Sequence, residues 1–252
     1  FIHTFCLRHR VTKKQLQQLA GKLNWACKVV FGGRTFLRRV LDLMNSLKRP
    51  SSRCRLTSEF LKDMEWWSEF LVHFNGKRDF LDNRPVTSLY TDACSYGIGA
   101  WYEDDWIYSH LPVDYSWAMP LHIKYKEALC VVLAAFQWGA SWKNKTVIVR
   151  CDNTAAVGML NKGTTKHPLM MTLLRRLFWL SATYNFRLKV YHIPGLTNVV
   201  ADNVSRLHEA DHFLSFYGFL FQKGFDAATV SAFSHMTKAS YYFLLGHYLL
   251  LK

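Results

Sequence analysis

The hydrophobic period of this chain changes at Asn83-Arg84-Pro85, and the order of segments that follows limits the fold more than any other feature. Segments 86–92, 96–101 and 105–111 are short, rich in β-branched and aromatic residues and separated by Gly or acidic turns, which predicts three consecutive strands. Beyond them, 123–138 has a helical period, 146–151 reads as a buried strand, 153–161 and 168–183 as helices, 186–192 as a strand and 198–206 as a closing helix. Three strands followed by alternating helices and strands predict an α/β domain on a mixed five-stranded sheet flanked by helices.

Ahead of that domain the pattern is helical throughout. Thr12 followed by Gln15 reads as a capping box for a helix with the stripe Leu16, Leu19, Ala20, Leu23 and Cys27. Gly32-Gly33 stops it, and Phe36, Leu37, Val40, Leu41 and Met44 form the stripe of a second helix before Pro50. Thr57 can cap a third helix, with the stripe Phe60, Leu61, Met64, Trp67, Leu71 and Phe74. Residues 1–80 are therefore expected to form a small helical unit, 84–208 the sheet domain and 211–252 an aromatic, weakly helical tail. Trp66, Trp67, Trp138 and Trp179 all fit helix stripes and are expected in the core.

At 252 residues and 50% hydrophobic content the chain can bury at least one sizeable core. Its six cysteines, at 6, 27, 54, 94, 130 and 151, form no CxxC pair, which argues against a zinc knuckle and for reduced thiols of an intracellular protein. The longest apolar run near the end, Phe213 to Phe221, is broken by Ser215 and Gly218, so no membrane span is expected. The chain opens on Phe1 without a visible secretory signal and reads as a soluble excerpt of a longer product. Net charge is +14, and residues 1–80 hold 16 Lys/Arg against 6 Asp/Glu, so most of the positive charge sits at the front. That asymmetry points to a polyanionic partner bound through phosphates.

Four acids fall at significant places in the predicted order. Asp92 ends the first strand, Glu127 lies near the start of the first long helix, Asp152 ends the fourth strand, and Asp202 sits in the last helix. Strand ends and helix starts meet at one edge of such a sheet. Carboxylates converging there repel one another unless cations neutralise them, and oxygen ligands without His or Cys favour Mg²⁺, with Mn²⁺ as a substitute. Two such ions can bridge a scissile phosphate. Asp82, Glu103, Asp104, Asp105 and Asp114 are read as surface or capping carboxylates.

The neighbours of these acids are more specific than their spacing. Leu89-Tyr90-Thr91-Asp92-Ala93 with Gly97-Ile98-Gly99-Ala100 resembles the first hairpin of the type 1 ribonuclease H domain of retroelement polyproteins. His122 to Glu127 resembles the segment carrying the second acid, Arg150 to Ala156 the third, and His192 to Arg206 the fourth. The resemblance covers roughly 86–207. It implies a ribonuclease H-like fold, hydrolysis of the RNA strand of RNA–DNA hybrids, two Mg²⁺ ions held by Asp92, Glu127, Asp152 and Asp202, and 5′-phosphate and 3′-hydroxyl products. Gln17 to Asn24 and Gly33 to Arg39 resemble the stretch just after the polymerase palm in DIRS-like retrotransposons, which pair reverse transcriptase with a tyrosine recombinase. By that resemblance residues 1–80 are a thumb or connection segment, and the palm and fingers lie elsewhere in the polyprotein. Thr237 to Tyr241 with Leu244, Leu245 and Tyr248 faintly resembles the opening helix of the recombinase core-binding domain; a helix that closes the preceding domain is the alternative.

Several residues around the acids have open roles. His192 precedes Pro194-Gly195 at a strand end and fits a structural position better than a proton shuttle. Asn153 either caps a helix or touches the hybrid, Thr154 is expected to cap, and Ser205 and Arg206 either touch a phosphate or form a solvated helix end. Two rivals to the nuclease remain: a non-catalytic connection module that positions hybrid for a polymerase, and a DNA-specific integrase. The second is disfavoured because Glu127 is second of four acids rather than last of three.

Overall fold

A computed structural model of the chain describes residues 1–30, 32–73 and 83–226. It divides into two compact units, Phe1–Asn83 with Lys162–Lys166, and Arg84–Asn161 with the residues from His167 onward.

The first unit contains α1 (Ile2–Cys6), β1 (Val11–Thr12), α2 (Lys13–Ala26), α3 (Arg38–Asn45), β2 (Arg53–Cys54) and α4 (Ser58–His73). Thr12 closes the capping box of α2: its hydroxyl accepts from the Gln15 amide at 3.2 Å while its own amide donates to Gln15 Oε1 at 2.8 Å. Thr57 accepts from the Phe60 amide at 3.1 Å at the start of α4. Leu16, Leu19, Val40, Phe60, Met64 and Trp67 are fully buried, whereas Leu61 and Leu71 face outward. Phe74 and Asp82 lie outside the described residues. The second predicted helix divides: Gly33–Leu37 winds as a 3₁₀ turn before α3 begins, with Trp67 Nε1 donating to the Phe36 carbonyl at 3.3 Å and Trp66 stacked on the Phe36 ring. A two-residue antiparallel pairing of β1 with β2, between segments 40 residues apart, has no local pattern to announce it.

The second unit contains β3 (Val86–Ala93), β4 (Gly97–Tyr102), β5 (Asp105–His110), α5 (Leu111–Asp114), α6 (Ile123–Trp138), β6 (Thr146–Cys151), α7 (Thr154–Lys162), α8 (Pro168–Tyr184), β7 (Arg187–His192), α9 (Val199–Ser205) and α10 (Ala210–Gln222). The sheet order is β5-β4-β3-β6-β7. The β3, β4 and β5 meander is antiparallel, and β6 and β7 run parallel to β3 after helical crossovers. This is the ribonuclease H-like arrangement. Its core gathers Leu89, Ile98, Ala100, Val147 and Val149 from the strands with the almost wholly buried α6 and the inner face of α8. Trp138 is buried and its Nε1 donates to Asp105 Oδ2 at 2.7 Å, so Asp105 ties α6 to the β4–β5 turn instead of standing free. Trp179 is half exposed, outside the buried stripe of α8.

Strand β4 is buried along its whole length because both faces are covered. Ile98, Ala100 and Tyr102 face the main core, while Trp101 joins Val204, Phe216 and Leu220 beneath α9 and α10. The described part of the expected tail is therefore packed onto the sheet through α10; residues 237–248, where the recombinase resemblance falls, lie outside the described residues. Contact of α9 with the strand depends on missing side chains. A Cβ at Gly97 would lie 2.0 Å from the Ser205 carbonyl oxygen, and one at Gly99 2.3 Å from the Ser205 amide nitrogen. Neither glycine has positive φ, so space rather than conformation requires them. Gly99→Ala is expected to lower stability by about 3 kcal/mol or more, because backbone, not a flexible side chain, must move. Urea denaturation followed by circular dichroism checks this, and a loss below about 1 kcal/mol would show that α9 shifts freely.

Candidate active site

The central strands β3 and β6 run parallel and end at the same edge. Asp92 is the penultimate residue of β3, paired across from Gly99, and Asp152 follows the last residue of β6. Helix α6 brings Glu127 to this edge, where the Ala93 amide donates to Oε1 at 3.2 Å and the Cys151 thiol to Oε2 at 3.7 Å. One donor atom each from Glu127, Cys151 and Asp152 lie within 4.8 Å of one another. Asp202 approaches from α9, and its Oδ1 accepts from Arg206 Nε at 2.9 Å.

Burial and like charge act together on these acids. Asp92 is 4% exposed and Glu127 2%. Burial pushes Asp92 up to about 6; the Ser205 hydroxyl opposes the rise, and the charges of Asp152 and Asp202 add to it. Glu127 is held well above the usual carboxylate range by burial and then by Asp92 and Asp152, against the Ala93 and Cys151 donors. The same surroundings push the Cys151 thiol up, with burial first and Glu127 next, so it stays a neutral donor. Thus three of the four expected acids, Asp92, Glu127 and Asp152, repel one another at one edge, and Asp202 joins them electrostatically while paired with Arg206.

Two contacts fix α9 against β3. Asn198, just before the helix, is buried and donates from Nδ2 to the Thr91 carbonyl at 2.9 Å. Ser205, its last residue, is fully buried with its hydroxyl 2.5 Å from Asp92 Oδ2. A phosphate cannot reach such a hydroxyl, so Ser205 serves Asp92 and is not a substrate contact. Arg206 is partly exposed but pairs with Asp202 and, at 3.8 Å, with Glu209. The cap of α7 is Asn153 rather than Thr154: Asn153 Oδ1 accepts from the Ala155 and Ala156 amides at 3.1 and 3.0 Å. His192 ends β7 with Nε2 3.1 Å from the Asp152 carbonyl, a contact that braces the strand end.

Sequence reasoning assigned no role to Cys151, Asn198 or His212. The first two lie inside the motif segments, but nothing local distinguishes a buried partner from a bystander. His212 comes from α10; its Nδ1 is hydrogen-bonded with Asn203 Oδ1 at 2.9 Å and lies 3.7 Å from Asp202 Oδ2. Only the packing of α10 brings it there.

No family model matches this chain. Over 150 residues, 60% of its length, it is 25% identical to the enzymatic polyprotein of Cassava vein mosaic virus, and the match covers 21% of that protein. The chain thus spans about a fifth of the relative's length. Among solved structures, superposition on ribonuclease H1 of the archaeon Halobacterium salinarum covers 48% of this chain and 96% of that one, with 16% identity and a TM-score of 0.39. Superposition on the protease-reverse transcriptase of Prototype Foamy Virus covers 74% and 26%, with 14% identity and a TM-score of 0.32. The strand order and connections of this chain itself define its fold.

The raised pKa of Asp92 sets a pH response for the protein. A carboxyl with a raised folded-state pKa binds its proton more tightly when folded, so its stabilising contribution is complete below the unfolded value of 3.8 and is lost as pH rises through about 6. Asp92→Asn removes the buried charge while keeping an acceptor for Ser205. It is expected to stabilise the protein in EDTA by about 1–3 kcal/mol at pH 7 and by almost nothing near pH 4. Thermal melts at the two pH values check this, and equal melting of wild type and variant at pH 7 would contradict it.

Proposed function

We propose that the second unit is a ribonuclease H that cuts the RNA strand of RNA–DNA hybrids, with Asp92, Glu127, Asp152 and Asp202 as the ligands of two divalent cations. The observation that carries this reading is the convergence of buried, mutually repelling carboxylates at the β3 and β6 strand ends, on a fold of ribonuclease H topology. The donor set suits hard cations: the oxygens are carboxylates, and the one thiol among them is kept protonated. Mg²⁺, or Mn²⁺ in its place, would supply neutralisation of the scissile phosphate and of the leaving 3′-oxygen.

The residues of the chain contribute positioning. Asp92 sits between Glu127, Asp152 and Asp202 in the charge network, which suits a ligand shared by both ions. Glu127 is steadied by a backbone amide and a thiol, so its orientation is set by fixed donors. The Asn153 side-chain oxygen Oδ1 is taken up by helix capping, leaving its Nδ2 as the part available to a hybrid. Residues 1–80, with net +10 from 16 basic and 6 acidic side chains, suit a thumb or connection segment that grips phosphates. By the family resemblance we read the chain as part of a retroelement polyprotein, with a reverse transcriptase palm and fingers elsewhere in it and, by the DIRS-like resemblance, a tyrosine recombinase. Among the described residues no helix is long and apolar enough to cross a membrane.

A labelled RNA–DNA hybrid incubated with the chain and Mg²⁺ tests the proposal. Cleavage of the RNA strand is expected, leaving 5′-phosphate and 3′-hydroxyl ends, with duplex DNA untouched. Asp152→Asn should slow cleavage by about 10²-fold or more, the scale on which loss of one preorganised electrostatic group acts. Binding of hybrid that persists in EDTA, with no turnover when Mg²⁺ is restored, would favour the non-catalytic connection module.

A further inference from the structure

Ser205 lies three residues after Asp202, on the same face of α9. Its hydroxyl is 2.5 Å from Asp92 Oδ2 and 2.9 Å from the Asp202 carbonyl oxygen. A hydroxyl has one hydrogen to give, and a buried carboxylate is the stronger acceptor, so the hydrogen goes to Asp92. A helix-end serine bonded back to the carbonyl three residues earlier would be an ordinary structural contact. The link to Asp92 is different, because α9 is also held by contacts that do not involve this hydroxyl. Asn198 holds the helix start to β3, the Cys94 thiol donates to the Ser205 carbonyl at 3.4 Å, Val204 fills the apolar layer over Trp101, and Gly97 and Gly99 clear the path.

We propose that Ser205 is a positioning residue that fixes the rotation of the Asp92 carboxylate, holding it in the orientation with which it would meet a divalent cation. The proposal rests on the reading of this edge as a divalent-cation site and deepens it. One short helix then performs two tasks: it delivers Asp202, and through Ser205 it orients an acid on another strand. Without the hydroxyl, Asp92 must find its ligating orientation from several, against the repulsion of Asp152 and Asp202. Supporting groups of this kind set metal affinity by about 10–100-fold in metalloproteins generally.

Calorimetric titration of Mg²⁺ into the full chain tests it, with wild type, Ser205→Ala, Asp92→Asn and the double variant. Ser205→Ala is expected to bind Mg²⁺ about 10–100-fold more weakly, to lower kcat in the hybrid assay with KM little changed, and to melt lower in EDTA, since a buried carboxylate loses a donor. In the Asp92→Asn background the same change should leave the residual affinity unaltered, since the carboxylate it orients is gone. Wild-type affinity in Ser205→Ala, whether or not its melting point falls, would overturn the positioning role while leaving the cation site standing. Absence of Mg²⁺ binding by wild type would overturn the site and this inference with it. Should Ser205→Ala fail to fold, Ser205→Cys retains a donor that is weaker and slightly larger, and is expected to show an intermediate loss; unchanged affinity there would count against the proposal.

Discussion

The close approach of α9 to β4 is the constraint on which the candidate site depends. Four carboxylates from four elements have to meet, and three of them come from the strand edge and the helix packed beneath it. The fourth is carried by a seven-residue helix, too short to hold itself in place. Its position comes from backbone lying almost against backbone: Gly97 and Gly99 present no side chain toward the Val204–Ser205 peptide. At the same point Asn198 and Ser205 turn polar bonds inward to β3, one to the carbonyl before Asp92 and one to its carboxylate. Packing and site assembly are therefore the same event.

This clustering of carboxylates works against the stability of the fold. Asp92 and Glu127 are almost completely buried near other carboxylates, an arrangement a protein selected for stability alone would replace with apolar side chains. The offset lies in the two-sided burial of the sheet, with α6 on one face and Trp101, Val204, Phe216 and Leu220 on the other. Helix α10 belongs to this second layer. It braces the helix that carries Asp202 and brings His212 beside it.

Legibility followed the range of the interactions. The helix over 123–138 and the strand over 146–151 were readable to the residue, because period and β-branching are local properties of the chain. The capping box at Thr12 and Gln15 was equally local. The 3₁₀ turn at Gly33–Leu37, the β1–β2 pairing and the outward face of Trp179 were not readable, since each depends on what a distant segment covers. The carboxylates stood out because an acid at a strand end is conspicuous among apolar neighbours, and their flanking motifs carried a family likeness. The partners of those acids did not. Read locally, Ser205 either touches a phosphate or ends a solvated helix, since nothing in the sequence shows its hydroxyl turned to Asp92.

By itself the sequence determined the order of elements and the mixed sheet they build, and it singled out the four acids proposed as ligands, all of which follow from period, turn chemistry and motif. Tertiary structure alone decided which residues serve those acids. It turned Ser205 inward to Asp92, gave Asn153 to the α7 cap, set Cys151 and the Ala93 amide on Glu127, and bonded His212 to Asn203 beside Asp202. The physical reason is that a hydrogen-bond partner is chosen by distance in space, and the distances here were set by two glycines that let one helix lie against one strand.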